Sequence, residues 1–197
     1  MKAVKNLFVL TSTMAALSAS GMAYAESVSS EFHVTIRITP VCEVETSTGN
    51  APTQELTTPS AGADIDFGDH LSNSKAEVRQ MSKAGAGGGI QVKCTKGTSY
   101  QIALTPDSTS STTGAGTMSG LPGSAAANAN DKIAYTLYKD DGYSEAWGNQ
   151  KNVNTLTGTG EGIASPIHHP VYGKVAGTEL DKTAGRYIDR VAVEVSY

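Results

Sequence analysis

Two histidines stand side by side at His168 and His169, with His33 and His70 elsewhere in the chain. Zinc takes three or four convergent ligands, whereas adjacent side chains in a strand point to opposite sides. A solvated turn ahead of Pro170 is therefore the expected setting of the pair. Asp140-Asp141, and Asp64 with Asp66, offer carboxylate pairs for calcium or for general acid and base work. The common calcium loop needs a longer acidic series than either pair supplies, so turn formation and protection of a sheet edge are their expected roles. There is no Gly-x-Ser-x-Gly elbow and no His-Glu-x-x-His run. No catalytic residue, metal or cofactor is expected, and the chain does not read as an enzyme. Trp147 with Tyr135, Tyr138, Tyr143 and Tyr172 could line a carbohydrate site. At strand spacing the same aromatics are expected to pack a sandwich, with their polar ends at its rim.

The two cysteines, Cys42 and Cys94, depend for their reading on the compartment. Residues 1–25 have the form of a secretory signal: Lys2 and Lys5, an uncharged apolar stretch, and the small-x-small site Ala23-Tyr24-Ala25. Cleavage before Glu26 leaves 172 of the 197 residues, enough for one domain. An even cysteine count in an exported chain argues for a disulfide, which would close a loop of about 50 residues at a gain of about 4 kcal/mol. Removing the two signal lysines from the 15 basic residues leaves 13 against 19 acidic, a net charge of −6. That balance gives no clustered cation for nucleic acid to recognise. No stretch beyond the signal has the length or apolarity of a membrane helix, so membrane insertion is not expected.

The elements that must position these residues are short and alternating. Phe32, Val34, Ile36 and Ile38 alternate with His33, Thr35 and Arg37, the period of a strand buried on one face. Ile65 and Phe67 do the same before Gly68; Ile90, Val92 and Cys94 follow, and Lys96-Gly97-Thr98 leads into Tyr100, Ile102 and Leu104. Ile133, Tyr135 and Leu137 end at Asp140-Asp141-Gly142, and Val171 with Gly173 marks another strand. The chain closes on Val191, Val193, Val195 and Tyr197. Many short strands with polar turns predict an all-β antiparallel sandwich or barrel. Residues 46–61 and 107–130, rich in Ser, Thr, Gly and Pro or Ala, predict loops outside the core. Residues 74–83 predict a short helix on propensity, broken by the glycines of 84–89.

Six motifs follow one another along the chain. They begin with Pro40-Val41-Cys42-Glu43-Val44, Ile65-Asp66-Phe67-Gly68, and Val92-Lys93-Cys94-Thr95-Lys96-Gly97-Thr98-Ser99-Tyr100-Gln101-Ile102-Ala103-Leu104. Tyr135-Thr136-Leu137-Tyr138-Lys139-Asp140 with Trp147-Gly148, Pro170-Val171-Tyr172-Gly173 and Ala184-Gly185-Arg186-Tyr187-Ile188-Asp189 complete the series. In this order they resemble the spore coat U domain, the family of archaic, Csu-type chaperone-usher pilus subunits. The resemblance implies an incomplete immunoglobulin-like β-sandwich, completed by a donor strand from a neighbouring subunit. Residues 26–40 would be the donor extension and 41–197 the sandwich.

It further implies that Phe32, Val34, Ile36 and Ile38 bind the neighbour, while Val191, Val193, Val195 and Tyr197 border the acceptor groove where a periplasmic chaperone docks. An outer-membrane usher would then exchange chaperone for subunit, giving an extracellular fimbrium that supports attachment and biofilm. A single-domain adhesin or lectin-like module is the alternative. From alternation alone, residues 32–38 fit their own sandwich equally well; the resemblance favours donation.

Overall fold

A computed structural model describes residues 26–46, 62–82 and 88–197. The signal segment, nearly all of the 46–61 loop and most of the glycine run at 84–89 lie outside these residues. The chain divides into two units, residues 1–37 and 38–197. The second is all-β, with eleven strands among its described residues. They are β1 (Cys42–Glu45), β2 (Val78–Met81), β3 (Ile90–Cys94), β4 (Ser99–Pro106), β5 (Ala115–Gly120), β6 (Lys132–Tyr138), β7 (Leu156–Thr159), β8 (Ile167–His169), β9 (Tyr172–Val175), β10 (Tyr187–Ile188) and β11 (Val191–Ser196). Every pairing between strands is antiparallel, in sheets ordered β1-β3-β8, β10-β5-β6-β9-β2 and β11-β4-β7.

The period-two pattern explains the core. Ile90, Val92 and Cys94 of β3 and Tyr100, Ile102 and Leu104 of β4 are buried, and they join Tyr135, Leu137, Trp147, Val171 and Val175 in one cluster. Gly97, at φ +81°, makes the turn between β3 and β4. That turn forms no hairpin: β3 and β4 pair with different partners, so it carries the chain from one sheet to another. Trp147 ties two sheets together. Its Nε1 donates to the Ile102 carbonyl of β4 at 2.9 Å, and its backbone N–H donates to the Leu137 carbonyl of β6 at 2.8 Å. The next residue, Gly148, accepts from the Leu104 N–H at 3.1 Å.

Three local expectations fail, each for a packing reason. Residues 78–81 form β2 and not the helix: Val78 is buried and the segment pairs along β9. Helix propensities differ by only a few tenths of a kcal/mol per residue, too little to outweigh a ladder and a buried valine. Residues 107–130 are not one loop, since they contain β5 and a short 3-10 turn at Ala125–Asn128. The small residues there are small because neighbours occupy their space: a methyl on Gly116 would overlap the Tyr135 ring, and one on Gly120 would overlap the Ala126 carbonyl. Ile65 and Phe67 join no ladder. They pack on the core instead, and Gly173 makes room for them, since a Cβ there would lie 2.8 Å from the Phe67 ring and 3.2 Å from Ile65.

Candidate functional site

β11 is the end strand of its sheet. It pairs with β4 over Val191–Ser196, and its other edge has no partner among the described residues. Val191, Val193 and Val195 pack against the core but remain partly exposed, unlike the apolar residues of β4 beside them. Ala192 and Glu194, on the other face, are exposed, and Tyr197 lies past the strand at 60% exposure. β1 is likewise an end strand, with Val44 at 40% exposure. A sheet end with half-covered apolar side chains is a template for strand addition.

Among the described residues, 26–40 have no strand partner, and Phe32, Val34, Ile36 and Ile38 are 84, 85, 89 and 76% exposed. Four large apolar side chains in an exposed alternating row depart from the usual burial of such residues. The alternation equals that of β4, but no residue from 26 to 40 is buried. At Val41 the chain becomes anchored. The Val41 carbonyl accepts from the Thr95 N–H at 2.9 Å, its N–H donates to Thr95 Oγ1 at 3.1 Å, and Cys42 is disulfide-bonded to its register partner Cys94.

The other candidate residues sit apart from this edge. His168 and His169 are not in a solvated turn; they belong to β8, paired with Gln91 and Ile90 of β3. His169 Nε2 lies 2.8 Å from the Tyr100 hydroxyl, with the rings edge to face at 5.9 Å, and His168 Nδ1 lies 3.2 Å from the Gly88 carbonyl. The buried tyrosine hydroxyl needs a partner, and β8 supplies it. Burial, and then the neighbouring His168, push the His169 pKa down. The unfolded chain takes up this proton near about pH 6.5 and the folded chain only at lower pH, so stability present above that value is lost as the pH falls through the interval. Urea midpoints measured at pH 7.5 and pH 5 are expected to fall with acidification, and His169→Gln is expected to reduce the fall.

Among the described residues no three His, Cys, Asp or Glu side chains converge as metal ligands would. Asp140 closes its turn by accepting from the Glu145 N–H at 2.7 Å and from the Ser144 hydroxyl at 2.8 Å. Those bonds, the Glu145 amide foremost, hold its carboxyl below the usual range. Asp66 accepts from the Gly68 N–H at 3.0 Å and faces Arg186 at 3.8 Å. The aromatics divide. Trp147 and Tyr135 are in the core, where burial, and then the Asp189 carboxylate that accepts its hydrogen bond at 2.8 Å, raise the Tyr135 pKa strongly. Tyr138, Tyr143 and Tyr172 meet edge to face at 5.7 and 5.9 Å, partly exposed. The Arg79 guanidinium lies 4.9 Å from the Tyr143 ring centre, and Glu77 pairs with both Arg79 and Lys174. Lys174 Nζ lies 5.1 Å from the Tyr138 ring centre, so Tyr138 and Tyr143 each face one of the protein's own cations, and sequence spacing alone could not separate these rings from the core pair.

Comparison with known proteins gives one family match: the model described as Spore Coat Protein U domain aligns with residues 28–194. No curated protein matches the chain. Among solved structures, a chain from a chaperone–tip adhesin complex of CFA/I fimbriae is similar at 12% identity with a TM-score of 0.40. The match covers 79% of this chain and 42% of that one, so the protein spans less than half of that chain's length.

Proposed function

Because the chain belongs to the Spore Coat Protein U domain family, we propose that it is a non-enzymatic structural subunit of a surface fimbria that polymerises by donor-strand exchange. Residues 32–38 of one copy enter the free edge beside β11 of the next. The observation that carries this reading is the coexistence, in one chain, of an exposed apolar row at Phe32, Val34, Ile36 and Ile38 and an end strand with partly covered valines. Each is unfavourable alone, and each offers what the other lacks. Burying four such side chains is worth roughly 6–12 kcal/mol before the costs of association.

The same edge would aggregate if left open during export, so the route requires a holder. A periplasmic chaperone fills the edge first, and an outer-membrane usher is where the next subunit's segment replaces it. The cysteine pair, joined across β1 and β3, suits an oxidising compartment of this kind. The assembled fibre is extracellular and supports attachment and biofilm growth. Electron microscopy of cells with and without the protein tests this reading. Loss of thin fibres is expected; fibres that persist but no longer adhere would instead make the protein an adhesin.

A further inference from the structure

The apolar row accounts for why a segment would enter the β11 edge, but any amphipathic strand of similar size would satisfy it. Selection of this chain's own segment needs a polar feature on the opposite face. Arg37 stands between Ile36 and Ile38, and Glu194 stands between Val193 and Val195. Both are exposed, and among the described residues neither takes part in an ion pair. Glu194 faces Ala103 across the β4 ladder, so the paired side of its strand offers it no cation, and its other side is the free edge.

Resting on the strand-donation reading, we propose that Arg37 of one copy pairs with Glu194 of the next, and that this charge pair sets the register and favours the chain's own segment over other strands. The partner is a second copy of this chain. Side-by-side placement of Arg37 and Glu194 puts Ile36 and Ile38 alongside Val193 and Val195 whether the strands run parallel or antiparallel, because the side-chain period is two in both. A slip of one residue would turn the isoleucines outward and separate the charges, so the apolar and charged registers agree. Arginine keeps its charge at every physiological pH, and its planar donor fork matches a carboxylate. Opposite charges directly across a strand pair are favourable and like charges are not.

Fibre growth from purified monomer at low salt provides the test, with Arg37→Glu, Glu194→Arg and the double exchange compared. Each single variant is expected to slow growth about three- to tenfold, and the double exchange to restore it to within about twofold of the natural chain. High salt is expected to narrow the differences. Glu194→Gln, with an intermediate effect, checks that no result comes from a misfolded edge, as does an unchanged thermal midpoint of each monomer. Single variants that grow at the natural rate, or a double exchange no faster than the singles, overturn the pairing. Val34→Asp with Ile36→Asp in parallel separates the two failures. If that chain stops growing while Arg37→Glu grows normally, donation stands and the charge pair does not. If it grows, donation itself is wrong.

Discussion

A chain carrying Val34→Asp and Ile36→Asp is expected to fold, form its disulfide and make no fibres. Both side chains are more than four-fifths exposed and, among the described residues, without strand partners, so a charge there stays in water in the single subunit. Substitutions at such surface positions usually change stability by less than about 0.5 kcal/mol. In a neighbour's groove the same carboxylates would be desolvated without partners, at a cost of several kcal/mol, comparable with the whole apolar gain of the segment. Size-exclusion chromatography and electron microscopy of the purified chain report the result. Fibres of natural length would sink strand donation through this segment, and an unfolded product would show the segment belongs to its own sandwich.

Trp147→Ala is expected to be the most damaging single change within the sandwich. The indole is fully buried, its Nε1 bonds the Ile102 carbonyl, and its backbone links the Leu137 carbonyl of β6 to the strip beside β4. Truncating a buried tryptophan costs about 3–5 kcal/mol, a large part of the roughly 5–15 kcal/mol by which a domain of this kind is stable. Thermal unfolding of the monomer is expected about 6–20 °C lower. Trp147→Phe keeps most of the volume but loses the donor, so it is expected to fall between. A midpoint unchanged by Trp147→Ala would contradict the assignment of Trp147 as the tie between the sheets.

The strands most legible in the sequence are those buried on one face. β3, β4, β6 and β11 announce themselves because each apolar position meets the same core. β2 and β5 do not, since β2 has one buried valine and β5 owes its small residues to the rings and carbonyls of other segments. Composition cannot distinguish a glycine that serves solvation from one that leaves room for Tyr135. The position of His169 is hidden for a related reason: its partner is a hydroxyl 69 residues away. The candidate site was visible in its parts, the alternating rows at 32–38 and 191–195. Whether a row is covered by its own molecule depends on strand order, and β11 stands at a sheet end because, among the described residues, β4 alone pairs with it.

Adding a synthetic peptide of residues 31–39 to the natural mature monomer and following its thermal midpoint shows whether the β11 edge accepts the segment beginning at Glu31. A ligand that binds only the folded state at about 100 times its Kd adds about 2.7 kcal/mol, a shift of about 5–10 °C in a chain of this size. A saturable rise of that order is expected, and none from the peptide with aspartate at positions 34 and 36. A midpoint indifferent to the natural peptide at saturating concentration would contradict donation at this edge.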